Sequence, residues 1–122
     1  MANKRRNLLC IDDHEASLAG WCLFLQNAGY SVQTARNPQE GLELFAVRGI
    51  DLVLLDYAMP GMTGNEVAAT MKRIKPDVRI VMFSGLSLPE SELGGADAFV
   101  QKGEDPAVVL HTIEALLGKQ SS

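Results

Sequence analysis

The sequence predicts an α/β fold, a parallel sheet covered by helices on both faces. Three observations predict it. Apolar runs of strand length alternate with segments of helical period along the chain. The most apolar run, residues 50–55, is broken only by Asp51, which suits a central strand covered on both sides. The chain has 122 residues, enough for one domain with its own core and too few for two. Five strand-then-helix units of this kind imply right-handed crossovers between parallel strands.

The elements follow in order. Asn7-Leu8-Leu9-Cys10-Ile11 is a first strand. From 15 to 28, Leu18, Trp21, Cys22 and Leu25 recur at i, i+3, i+4 and i+7 and mark one face of a helix that Gly29 stops. Tyr30-Ser31-Val32-Gln33-Thr34 alternates in polarity, as a less buried edge strand does. Asn37-Pro38-Gln39-Glu40 supplies an N-cap, a proline at the first helical position and an acid at the third. That second helix runs to about Arg48, and Gly49 ends it. Residues 50–55 are the third strand, followed directly by Asp56. Thr63-Gly64-Asn65-Glu66 reads as a capping box, with Val67, Thr70, Met71 and Ile74 as the next helical stripe. Residues 78–83 and 98–101 are the fourth and fifth strands. Asp105-Pro106 opens a last helix whose inner face carries Leu110, Ile113 and Leu117. Gly118 and the polar tail Lys119-Gln120-Ser121-Ser122 close the chain. One domain, 1–122, is expected, with an ordered core over about 6–118.

Composition excludes several classes. Eleven basic residues against 15 acidic ones give a net charge of −4. Such a domain lacks the basic surface that phosphate backbones demand, so direct nucleic-acid binding is not expected. No apolar run approaches the ~20 residues needed to span a bilayer. The charged start, MANKRRN, is not followed by the long apolar stretch of a signal peptide. Cys10 and Cys22 are expected as buried apolar residues in a reducing, cytoplasmic setting rather than as a disulfide.

The chemistry gathers at the strand ends. In an open parallel sheet, ligands bind beyond the carboxyl ends of the strands. Here the first strand ends in Asp12-Asp13, the third in Asp56, the fourth in Ser84-Gly85 and the fifth in Lys102. Taken singly, each has an ordinary reading: Asp13 as a helix cap, Asp56 and Ser84-Gly85 as turn residues, Lys102 as a surface charge, Phe99 as core. Their joint placement favours one chemistry. Carboxylates gathered within a few ångströms must bind protons or a cation. An all-oxygen set suits Mg²⁺. A carboxylate such as Asp56 is able to attack phosphorus and form an acyl phosphate. Lys102 and the Ser84 hydroxyl would then meet the phosphoryl oxygens. His14 follows the acid pair and reads as a surface histidine at a helix start. His111 is assigned no role.

These residues resemble the receiver domain of two-component response regulators, the family that includes the chemotaxis response regulator. The resemblance covers essentially the whole chain. It rests on Cys10-Ile11-Asp12-Asp13, on Leu54-Leu55-Asp56-Tyr57-Ala58-Met59-Pro60-Gly61-Met62-Thr63-Gly64, on Phe83-Ser84-Gly85, and on Gly95-Ala96-Asp97-Ala98-Phe99-Val100-Gln101-Lys102. It implies a flavodoxin-like, doubly wound sheet of five strands in the order 2-1-3-4-5. It also implies that Asp56 is the phosphoacceptor, that Asp13 ligates Mg²⁺ directly and Asp12 through water, and that the Ala58 backbone carbonyl is a third contact. Ser84 and Phe99 match the family's switch pair, and Lys102 its phosphate-binding lysine. A sensor histidine kinase or histidine phosphotransfer domain would donate the phosphoryl group. Output would pass to a downstream protein partner or effector domain, with a homodimer also open.

Three features depart from the family pattern. Gly103 stands where a proline usually follows the lysine. The segment from Leu86 to Gly95 leaves room for a fourth helix of about one or two turns only, hemmed in by Pro89 and Gly94-Gly95. Ala58 and Leu86, at positions that tune hydrolysis in the family, are both apolar, so slow autodephosphorylation is expected. Two alternatives stay open: a receiver-like interaction module that is never phosphorylated, and a small Mg²⁺-dependent phosphatase with an aspartyl nucleophile. Haloacid-dehalogenase-like enzymes need an Asp-x-Asp pair after the first strand, whereas Asp12 and Asp13 are adjacent.

Overall fold

A computed structural model describes residues 5–118. Most of the basic N-terminal stretch and the tail after Gly118 lie outside the described residues. The elements are β1 (Asn7–Ile11), α1 (Glu15–Asn27), β2 (Ser31–Ala35), α2 (Pro38–Val47), β3 (Leu52–Asp56), α3 (Gly64–Ile74), β4 (Arg79–Ser84), β5 (Ala98–Gln101) and α4 (Pro106–Leu117). The strands form one parallel sheet in the order β2-β1-β3-β4-β5. β3, at the centre, is buried at every position, while the edge strand β2 is buried only at Ala35.

The period-2 alternation of each strand divides the core in two. Leu9, Ile11, Val53, Leu55, Ile80 and Met82 point to the face covered by α2 and α3. Leu8, Cys10, Leu52, Leu54, Val81, Phe83 and Val100 point to the face covered by α1 and α4. The caps read from the sequence form as expected. Asn37 Oδ1 accepts the Glu40 N–H at 2.8 Å, and Glu66 Oε1 accepts the Thr63 N–H at 3.0 Å.

Two expectations need correction, at Ile74 and Cys22, and two are refined, in α4 and between β4 and β5. The stripe of α3 is Gly64, Val67, Ala68 and Met71. Ile74, the helix's last residue, is exposed, because the chain turns off into Lys75 there. In α4 the fully buried positions are Val109 and Ile113, with Leu110 and Leu117 half-buried beside them. Cys22 is half-buried at the margin of the α1 stripe, whereas Cys10 is buried; both thiols are free. Between β4 and β5 the expected short fourth helix is reduced to one 3₁₀ turn, Glu90–Glu92. Pro89 enters it in extended backbone, and Gly94 and Gly95 end it at φ 60° and 91°.

Candidate functional site

The carboxyl ends of β1, β3, β4 and β5 lie side by side. Ile11 pairs with Leu55, so Asp12 and Asp56 leave adjacent strands at the same level. Phe83 pairs with Asp56, and Ser84 with Gln101, so Ser84 and Lys102 complete the same rim. A backbone bond from Lys102 N–H to the Ser84 carbonyl, at 2.7 Å, ties the two ends together.

Asp12 and Asp56 are 4% and 2% exposed, unusual burial for carboxylates. Asp13, His14, Asp12 and Asp56 each offer one ligand atom, and all four atoms lie within 4.8 Å of one another. Asp13 does not cap α1. The cap position is His14, whose side chain makes no capping bond, and Asp12 Oδ1 instead accepts the His14 N–H at 2.9 Å. The Asp13 carboxylate is thus left to the rim.

Lys102 Nζ sits 3.0 Å from Asp56 Oδ1. That contact is a close charge pair, and neither Asp56 oxygen has a well-aligned hydrogen bond. Burial pushes the Asp56 carboxyl above its ordinary value; the Lys102 ammonium pulls it down, the Asp12 charge pushes it up again, and the Ala58 N–H lowers it slightly. Buried carboxylate oxygens with no well-aligned hydrogen bond, beside two further acids, are a ligand set that fits a hard divalent cation.

The lysine is held from below. Its ammonium lies 5.7 Å from the centroid of the Phe83 ring, and the Trp21 ring meets Phe83 edge-on at 5.4 Å. Sequence reading missed this support, although a signal was there. Phe83 and Lys102 have the parity of Val81 and Val100, so all four belong to the α1/α4 face. Cys10, on the same face, has its thiol pushed up to about 12 by burial and by the Cys22 and Asp12 charges, which keeps it protonated and unreactive.

Ser84 and Phe99 fall on the opposite face from Lys102. Phe99 pairs with Met82, two residues before Ser84, and is half-buried against the α2/α3 cluster. Ser84 is buried, and its Oγ accepts the Leu86 N–H at 3.1 Å. Ala58 lies exposed in the loop after β3, as does Leu86 after β4. Gly103 turns the chain at φ 96°, a shape that proline, fixed near about −65°, does not take. Sequence reading also missed a polar latch beside the site. The Tyr57 hydroxyl donates to Glu92 Oε2 at 3.0 Å, and Asn65 Nδ2 donates to the same oxygen at 3.3 Å. It joins the residue after Asp56 to the 3₁₀ turn.

This arrangement agrees with comparison to known proteins. Residues 8–114 match the family model of the response regulator receiver domain. The chain belongs to that family. Among curated relatives, the receiver is 32% identical over 99 residues to the cell cycle transcriptional regulator CtrA of Caulobacter vibrioides, covering 78% of this chain and 43% of CtrA. It is 28% identical over 116 residues to the autoinducer 1 sensor kinase/phosphatase LuxN of Vibrio harveyi, covering 95% of this chain and 14% of LuxN. It therefore spans less than half the length of either protein. Among solved structures, a CheY-like receiver domain protein from Methanospirillum hungatei superimposes with a TM-score of 0.88 at 28% identity, covering 95% and 97% of the two chains. TrrA of Thermotoga maritima, determined in complex with Mg²⁺-BeF, does so at 0.85 and 32%, covering 91% and 98%. Among the described residues, no helix is long and apolar enough to cross a membrane.

Proposed function

We propose that this receiver is a phosphoryl-accepting switch of a two-component phosphorelay, with Asp56 as the acceptor. One observation carries the reading. Asp56 is 2% exposed, a lysine ammonium stands 3.0 Å from its Oδ1, and two further acids lie beside it. A buried carboxylate so arranged is costly in a merely structural role and suited to nucleophilic attack on phosphorus.

The donor is a phosphohistidine of a sensor histidine kinase or a phosphotransfer domain. A solved complex of the histidine kinase ThkA with TrrA, which is 31% identical to this chain, supports that class of partner. An Asp56 oxygen attacks the phosphorus. The new P–O bond forms as the P–N bond breaks, and its electron pair returns to the donor imidazole. Asp12, Asp13, Asp56 and the Ala58 backbone carbonyl would hold Mg²⁺, which when bound offsets the negative charge gathered there. Lys102, resting on the Phe83 ring, places its ammonium against a phosphoryl oxygen. Burial of the rim by Trp21 and Phe83 keeps the positive charge effective by limiting water beneath the site.

The Ser84 hydroxyl would exchange its bond from Leu86 N–H for one to the phosphoryl group. Phe99, on the same face, then moves toward the space Ser84 leaves, so that phosphorylation biases a two-state equilibrium. A downstream protein partner or effector domain would read the change, beside a 3₁₀ turn in place of a full helix between β4 and β5. Incubation with Mg²⁺ and acetyl phosphate should add the mass of one phosphoryl group. Asp56→Asn or chelation of the cation should abolish the addition. Turnover of small phosphoesters with no stable adduct would instead favour the phosphatase reading.

A further inference from the structure

We propose that His14 is an additional ligand of the cation at this site and tilts its preference from Mg²⁺ toward ions that accept nitrogen. The inference rests on the reading above that Asp12, Asp13 and Asp56 hold a divalent cation. His14 Nδ1 lies 3.4 Å from Asp12 Oδ1 and 3.3 Å from Asp13 Oδ1. One atom from each of Asp12, Asp13, His14 and Asp56 falls within 4.8 Å of the others. Around an octahedral ion with bonds of about 2.1 Å, neighbouring ligand atoms stand about 3.0 Å apart and opposite ones about 4.2 Å apart. The imidazole therefore sits at nearly the separation of a ligand next to Asp12 and to Asp13.

Two backbone bonds hold His14 at the rim. Its N–H donates to Asp12 Oδ1 at 2.9 Å, and its carbonyl accepts the Leu18 N–H at 3.0 Å in the first turn of α1. Only the side-chain rotamer remains to be set. Independently, both oxygens of Asp56, a residue 2% exposed, and Oδ1 of Asp13 lack a well-aligned hydrogen bond and leave acceptors at the same point for an ion to satisfy.

The donor chemistry follows. With its proton on Nε2, the imidazole presents a lone pair at Nδ1. Mg²⁺ is content with carboxylate, carbonyl and water oxygens and gains little from nitrogen, whereas Fe²⁺, Ni²⁺ and Zn²⁺ gain much. A receiver with hydrocarbon at position 14 lacks this term.

Calorimetric titration with Mg²⁺ and with Ni²⁺ tests the proposal on the unphosphorylated protein. His14→Ala should weaken Ni²⁺ binding about tenfold or more while changing Mg²⁺ affinity less than about threefold. His14→Gln, which keeps bulk and offers a hard oxygen, should lose Ni²⁺ affinity to a similar degree. The His14 side chain is 70% exposed, so neither change should disturb the fold. Equal losses for both ions, no loss for either, or a gain for either would overturn the proposal; a gain would show the imidazole to be a competitor for the ion's place. Ni²⁺ binding insensitive to Asp13→Asn would put the ion elsewhere and also overturn it. Binding of both ions that needs Asp13 but not His14 refutes this inference alone. A wild-type protein that binds neither ion refutes the cation reading as well.

Discussion

Replacing Asp56 by asparagine should stabilise the metal-free protein. Asp56 is almost wholly buried; its charge is met by Lys102 at 3.0 Å and, more weakly, by the Ala58 N–H, with the Asp12 charge opposing them. Removing such a carboxylate from water costs several kcal/mol, and an imperfectly aligned pair returns only part, so the asparagine variant should gain about 1–2 kcal/mol at neutral pH. Lys102 loses its partner but is 32% exposed, so water takes over. For 122 residues, at about 2.1 cal/mol/K of unfolding entropy each, the gain corresponds to a Tm rise of roughly 4–8 °C. The pH dependence has a definite sign. Burial raises the folded-state pKa above the ordinary 3.8, so the folded protein holds this proton more tightly than the unfolded chain. Wild-type stability from this group is therefore present below the ordinary value and lost as pH rises through the raised one. The gap between variants should open over that window and be small at pH 4. Mg²⁺ at ten times its Kd should return about 1.4 kcal/mol to the wild type and narrow the gap. Thermal unfolding by circular dichroism, at pH 4 and pH 7, with and without Mg²⁺, measures all of this. An asparagine variant no more stable than wild type at pH 7 without divalent ions, or a gap unchanged at pH 4, would refute the reasoning.

Further outcomes are expected elsewhere. Gly94→Ala should lower the urea midpoint, at a cost of about 2–4 kcal/mol, because Gly94 has φ 60° and an added Cβ would collide with the Asn65 carbonyl oxygen. Tyr57→Phe should speed proteolysis and amide exchange across residues 86–95, since it removes the hydroxyl bond to Glu92. Glu92→Gln should bring the Tyr57 phenol down toward its ordinary pKa, because the bond from the Tyr57 hydroxyl to Glu92 is the main cause of its rise. Once acetyl phosphate is removed, phosphorylated protein should decay slowly. Ala58 and Leu86 offer no side-chain group to orient water, and decay as fast as in chemotaxis-type receivers would contradict this.

Much of the fold was legible because its signals are local. The 3.6-residue stripes, the Asn37 and Asp105 caps and the apolar run at β3 each decide their own element. Strand order was not local, and came from resemblance. The meeting of the candidate residues was legible from topology: Asp12, Asp13, Asp56, Ser84 and Lys102 lie at or just beyond strand ends, and a parallel sheet brings those ends together. The residues that escaped attention act across the chain. Phe83 beneath Lys102, Trp21 against Phe83 and Glu92 beneath Tyr57 are contacts between distant segments, which periodicity does not reveal. The missing helix was half-legible. Pro89 and Gly94-Gly95 bounded it, but only the positive φ angles of both glycines reduced it to a single 3₁₀ turn.

The central claim is that Asp56 carries the phosphoryl group. Its most direct test is borohydride reduction of protein treated with Mg²⁺ and acetyl phosphate, followed by peptide sequencing by tandem mass spectrometry. An acyl phosphate is reduced to an alcohol, so homoserine should replace aspartate at position 56 and at no other acid. Homoserine at Asp12 or Asp13, or none anywhere, would contradict the claim.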